Sequence, residues 1–210
     1  MMSLLFSGCS NTWGGELEDP LRQRYSRLVA DHYDITEVNI AECGKSNDAI
    51  VCKTNKHLEK NEVDIVVIQF TVAGRFSWID DKGKVQHWTP SDKNRKSHDN
   101  HARDQWYKWI YNPFMGAENA WKNIFLWDSY CKSRGQKYIP LIAAHWSDDY
   151  HEINGYWKQY YFKGKLRDSP ITCIHREILR GGYPLMPHGH PSPEAHKRIA
   201  EVVIEHVDSY

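Results

Sequence analysis

A chain of 210 residues with 40% apolar content is long enough for one well-formed core and ordinary for a globular domain. Lysine plus arginine equals aspartate plus glutamate at 27 each. That balance excludes the basic footprint by which proteins neutralise nucleic-acid phosphates or anionic membranes, so no nucleic-acid or membrane partner is expected.

Ser3 to Ser7 reads as a short buried strand running into Gly8-Cys9-Ser10-Asn11, a turn of small residues. Pro20 opens a helix to about residue 33, with Leu21, Tyr25, Leu28, Val29 and His32 at helical spacing. Glu37 to Ala41 is a second short strand ending near Gly44, after which Ser46 or Asn47 can cap a helix through Leu58. Val63 to Phe70 is the strongest strand signal. It is β-branched and apolar at nearly every position, as a parallel strand covered on both faces should be.

Residues 76 to 116 break the rhythm and read as an insertion. Its aromatics, Trp78, Trp88, Trp106, Tyr107, Trp109 and Tyr111 among them, form either a lid over the strand ends or a small core of their own. A helix from about Ala117 to Arg134, a strand from Tyr138 to Ala144, a weak strand near Ile171 to Ile174 and a helix starting at Ser192-Pro193-Glu194 complete the chain. Strands alternating with helices imply an α/β fold: a three-layer sandwich around a doubly wound, mainly parallel sheet of about five strands. The chain reads as a single domain, residues 1–210.

Five cysteines without a CxxC pair suggest neither a disulfide framework nor a zinc knuckle. The first nine residues lack the basic region and long apolar run of a signal peptide, and no other stretch approaches a membrane span. A cytoplasmic protein is the expectation, of either phage or host-cell origin.

In open α/β sheets ligands bind at the carboxyl ends of the strands, which here carry Ser10, Gly44 and Thr71. With the C-terminal run Met186-Pro-His188-Gly-His190-Pro-Ser-Pro-Glu194, this order resembles the SGNH (GDSL-like) hydrolases. Gly8-Cys9-Ser10 stands where that family has Gly-Asp-Ser; the serine matches and the acid does not. The resemblance implies a flavodoxin-like sheet and a serine esterase acting on a small acyl ester, O-acetyl groups on carbohydrate being one class, through an acyl-Ser10 intermediate. In that reading His190 is the base and His188 occupies the place of the acid, unless Asp148, Asp149 or Asp168 supplies a carboxylate. Gly44 and Thr71 stand at the oxyanion positions, with Asn47 and Arg75 beside them.

A serine hydroxyl needs such a base because it is a poor nucleophile until its proton is removed. Other readings of the same residues remain open. Cys9 is a second candidate nucleophile. His188, His190 and His196 could bind metal, although the serine reading calls for neither metal nor cofactor. His145 is a pocket candidate at the end of a strand. A catalytically degenerate, SGNH-like binding or accessory protein is the alternative function.

Overall fold

The computed structural model describes residues 2–83, 85–89, 100–143 and 172–210. Asp148, Asp149, Asp168 and His145 lie outside the described residues. Five parallel strands form the central sheet: β1 (Leu4–Ser7), β2 (Val38–Asn39), β3 (Ile65–Phe70), β6 (Lys137–Ile142) and β7 (Thr172–Cys173), in the order β2-β1-β3-β6-β7. Between β3 and β6 a hairpin, β4 (Phe76–Ile79) and β5 (Val85–Trp88), stands apart as a second, antiparallel sheet.

Alternation along the buried strands sorts their side chains onto two cores. Leu5, Val66, Ile68 and Phe70 face α4 (Asn47–Leu58) and α6 (Pro113–Arg134), where Ile50, Trp121, Ile124 and Trp127 close the layer. Leu4, Phe6, Val67 and Leu141 face the opposite layer, where Tyr25, Val29, Ile178, Ile199 and Val203 lie. These come from α3 (Tyr25–His32), α7 (Ile174–Arg180) and α8 (Pro193–Asp208). The expected three-layer α/β/α arrangement is therefore present. No helix among the described residues is long and apolar enough to cross a membrane.

Several local expectations change. The turn after β1 is a helical turn, α1 (Ser10–Trp13). The first long helix is two, α2 (Pro20–Gln23) and α3, because Arg24 adopts extended backbone between them. Its guanidinium there forms a two-point ion pair with Glu37, Nε to Oε1 at 2.7 Å and Nη2 to Oε2 at 2.6 Å. A long-range contact thus overrides a local helical pattern. Helix α7, absent from the sequence reading, follows β7 directly.

The insertion contains the hairpin, α5 (Asn100–Gln105) and a π-helical turn, Trp106–Ile110. Trp88 packs against Trp78 and Phe76, and Phe76 stacks on Trp106 at 4.4 Å. These aromatics form a small core of their own, whereas Trp109 stays 69% exposed.

Helix α8 begins two residues after His190's neighbour Pro191, and the Ser192 hydroxyl caps it by accepting the Ala195 N–H at 3.2 Å. Ser192→Ala should cost about 1 kcal/mol in urea unfolding. An unchanged midpoint would mean that the cap does not anchor this helix.

Candidate active site

Ser10 is the first residue of α1, immediately past the carboxyl end of β1, and is 6% exposed. An N–H in the first turn of a helix has no helical carbonyl to donate to, so the Ser10 amide faces outward from the turn. Gly14 ends α1 in a left-handed conformation (φ +93°), and Gly15 and Glu16 follow.

His190 comes from the other end of the chain. Residues 184–192 fold back on themselves, Met186 N–H donating to the His190 carbonyl at 2.8 Å and Gly189 N–H to the Met186 carbonyl at 2.8 Å. The loop meets the segment after α1. A Cβ built on Gly15 would lie 3.0 Å from His190 Nε2 and 3.3 Å from Ser10 Cβ. Gly15 thus lines the gap between the serine and the imidazole, and no larger residue fits without moving one of them.

The imidazole is steadied by a residue that the sequence reading did not single out. Glu16 Oε2 lies 2.6 Å from His190 Nδ1. The same carboxylate accepts the His188 N–H at 3.0 Å and, more weakly, the His190 N–H at 3.4 Å. A carboxylate at Nδ1 holds the proton there and leaves Nε2, the ring atom beside Gly15, as the acceptor. Burial works against the Glu16 charge, but bonds from the His190 ring and from the His188 and His190 main chain outweigh it. Its carboxyl is held below the ordinary value. Glu16 adopts φ +65°, a conformation costly for a residue with a side chain. These bonds hold it there.

His188 accordingly stands in a different relation to His190 from the one its position suggested. Its side chain is exposed, and its main-chain N–H is what reaches the site, through Glu16. Gly189, the one residue between the two histidines, is left-handed (φ +84°) in a tight turn, which leaves His188 exposed and His190 half-buried.

The loops after β1, β2 and β3 converge. Gly44 has φ +78° with open space around it, so the turn after β2 favours glycine for its backbone. Asn47 Oδ1 accepts the Thr71 N–H at 2.7 Å, and Arg75 Nη1 donates to the Lys45 carbonyl at 3.4 Å. The Thr71 hydroxyl bonds to the Cys9 sulfur. It is turned into the protein, and its side chain is 1% exposed with the rest of the residue.

Cys9 itself is 2% exposed beneath Ser10. His196 is fully buried on α8, its Nδ1 accepting the Tyr25 N–H at 3.1 Å and its ring stacked on Tyr25. It does not join His188 and His190. Among the described residues no group of three or more His, Cys, Asp or Glu side chains is placed to hold a metal ion.

Behind the Gly44 turn lies a cavity of about 430 Å³, between α4 and the β4–β5 hairpin. Its walls include Gly8, Ile40, Lys45, Trp78 and His87.

No family profile and no curated protein matches the sequence. Solved structures do match. The chain superposes on a member of the lipolytic protein G-D-S-L family from Veillonella parvula DSM 2008 with a TM-score of 0.58 at 11% identity, covering 98% of this chain and 97% of that one. It superposes on the psychrotrophic esterase EstA from Pseudoalteromonas sp. with a TM-score of 0.60 at 10% identity, covering 98% and 96%. For Axe2, an acetyl-xylooligosaccharide esterase from Geobacillus Stearmophilus, the TM-score is 0.58 at 14% identity, covering 96% and 92%. At such low identity the likeness speaks for architecture, and with the sheet order and the converging loops it establishes that this chain has the SGNH (GDSL-like) hydrolase fold.

Proposed function

We propose that the protein is a serine esterase that cleaves a small acyl ester through an acyl-Ser10 intermediate, working as one domain. The observation that carries this reading is the 2.6 Å contact between Glu16 and His190 Nδ1, with His190 Nε2 and the Ser10 side chain both lying against Gly15. Ser10 Oγ attacks the ester carbonyl carbon while His190 Nε2 takes the hydroxyl proton. The Glu16 carboxylate offsets the charge of the imidazolium.

The Ser10 and Gly44 N–H groups stabilise the oxyanion, and donors fixed before the charge develops are usually the largest single contribution to such a barrier. Thr71, Asn47 and Arg75 hold the surrounding loops in place. Collapse returns the proton from Nε2 to the leaving alcohol, and water repeats the sequence to free the acid. O-acetyl carbohydrates are one substrate class in keeping with this reading. Axe2 acts on acetylated xylooligosaccharides, and the cavity beside the Gly44 turn combines an indole face with charged side chains.

The test is labelling by a fluorophosphonate together with hydrolysis of an activated acetyl ester, using Ser10→Ala as the control. Labelling and turnover that vanish in Ser10→Ala are expected. Their absence in the wild-type protein would replace the esterase by a binding protein on the same fold.

Gly15 supplies a further expectation. In Gly15→Ala the added methyl meets His190 Cδ2 and Nε2 at 3.0 Å, so the ring must shift by a few tenths of an ångström. Misplacement on that scale should lower kcat by about 10- to 100-fold. Kinetics and thermal unfolding measured on the same sample check it; wild-type turnover in the variant would mean that the ring does not work across this gap.

A further inference from the structure

The turn that carries Gly44 is held mainly by its neighbours. Among the described residues, nothing lies within 4 Å of where a Gly44 Cβ would stand. Upstream, the Glu42 N–H donates to the Gly8 carbonyl at 3.2 Å. The residues just downstream, Lys45 and Ser46, are gripped from outside the central sheet. In the β4–β5 hairpin Ser77 and His87 are direct cross-strand partners, so both side chains stand on one face, with the Ile79–Val85 pair next along it. That face meets the start of α4 across the cavity behind the Gly44 turn.

A continuous chain of hydrogen bonds crosses there. Lys45 Nζ lies 2.8 Å from His87 Nε2, His87 Nδ1 lies 2.7 Å from Ser77 Oγ, and Ser77 Oγ lies 2.5 Å from Ser46 Oγ. Ser46 is fully buried and caps α4, accepting the Ala49 N–H at 3.3 Å. Ser77 beside His87 has the contact of a nucleophile with its base, but Lys45 decides otherwise. Its ammonium, ion-paired with Glu42 at 2.8 Å, can only donate, so Nε2 must accept and the ring proton sits on Nδ1. His87 is then a donor to Ser77, and the Ser77 hydroxyl donates onward to Ser46. Every bond runs in one direction, from Lys45 to the cap of α4.

We propose that the β4–β5 hairpin is the clamp that fixes the Gly44 turn, and that His87 is its positioning residue, tying Lys45 to Ser46 through Ser77. Arg75, the residue before β4, adds a third hold through the Lys45 carbonyl. The insertion thus has two faces: Phe76 on one stacks on Trp106 in the small aromatic core, and Ser77 and His87 on the other hold the turn. Lys45 and Glu42 are the charged groups that act on the His87 ring. Burial first and the Lys45 charge second hold the ring below its ordinary value, against the pull of Glu42, so it is neutral at pH 7. The effect on turnover rests on the esterase reading, in which the Gly44 N–H meets the oxyanion; the bonding of His87 does not.

Ring-nitrogen NMR of the isotope-labelled wild-type protein at neutral pH, assigned through bonds, should show His87 as the Nδ1–H tautomer. An Nε2–H ring overturns the chain. Kinetics on an activated acetyl ester read the positioning role. His87→Leu keeps the bulk and loses both bonds, so kcat should fall about 10-fold. KM should stay unchanged, because an oxyanion donor acts on the transition state alone. His87→Gln, whose amide offers one acceptor and one donor, should recover most of the loss. A raised KM with kcat intact would make His87 a substrate contact and overturns the role, as does wild-type kcat in His87→Leu.

Lys45→Met should lower kcat by a similar factor, and His87→Leu/Lys45→Met by no more than either alone, since both cut one chain. Additive losses overturn the clamp. Where His87→Leu does not fold, the ring tautomer and the Lys45→Met kinetics decide. Absent turnover and Ser10 labelling in a wild-type protein with the Nδ1–H ring would instead count against the esterase reading, so the two failures are distinguishable.

Discussion

Replacing Glu16 by glutamine should lower turnover of an activated acetyl ester by about 10³- to 10⁴-fold, the scale set by amide-for-acid replacement in a serine protease triad. The geometry explains why so small a change acts so strongly. Glu16 accepts the main-chain N–H of His188 and of His190 as well as meeting Nδ1. In Glu16→Gln an oxygen kept on the His188 N–H leaves the amide nitrogen facing Nδ1. A nitrogen donor there forces the imidazole proton to Nε2, where it blocks the base.

The variant should fold, because the His188 N–H bond to Oε1 is kept and only the long His190 N–H bond, made to Oε2, is lost. Glu16→Asp retains the charge but draws it back by one methylene, so its loss should be smaller than that of the glutamine variant. Steady-state kinetics and the rate of fluorophosphonate labelling, compared across the two variants, check the order. Wild-type turnover in Glu16→Gln would remove Glu16 from the proposed mechanism. The charge is secure at working pH. A carboxyl held below its ordinary value keeps its proton off until the pH falls beneath the usual carboxylate range.

Acid should weaken the fold through His196 well before the carboxylates are protonated. This ring is fully buried between Tyr25 and the body of α8, and burial, with a smaller contribution from the charge of His190, lowers its pKa to about 4. In the unfolded chain the same group titrates near its ordinary value of 6.5. Below that value the unfolded state binds a proton that the folded state refuses. Stability from this group is therefore complete above about pH 6.5, falls as the pH drops, and is fully lost near pH 4.

At about 1.4 kcal/mol per unit of pKa difference, the loss is about 3 kcal/mol. Urea unfolding at several pH values should show the decline in the wild type and a shallower slope in His196→Gln, whose side-chain oxygen can still accept the Tyr25 N–H. Parallel slopes would assign the acid sensitivity elsewhere. The comparison of slopes holds even if the variant starts from a lower stability.

The order of elements was legible because it rests on patterns that local chemistry imposes. Ile65 to Phe70 must be a covered strand, since six consecutive residues of this kind have no exposed face to offer. Ser192-Pro193-Glu194 must start a helix, because the hydroxyl, the missing proline N–H and the acid each suit a first turn. The Arg24 break and α7 were not legible. The first depends on Glu37, thirteen residues away and on another element, and the second is too short to show a period.

For the proposed site, the sequence by itself determined the placement of its two ends: Ser10 after the first strand and His190 before the last helix, at positions that a parallel sheet of this order brings to one edge. It also determined that the turn near Gly44 lies beside them. Only the tertiary structure decided what steadies the histidine. Glu16 and His190 are 174 residues apart, and the run Gly14-Gly15-Glu16 has no spacing that marks it. Its signal is a pair of glycines that lets the backbone pass between Ser10 and the ring and then turn left-handed at Glu16. The tertiary structure also turned the Thr71 hydroxyl inward to Cys9 and the His188 ring outward to solvent. Spacing along a chain tells which face a side chain shares with its neighbours; which partner it meets is settled where distant loops pack against one another.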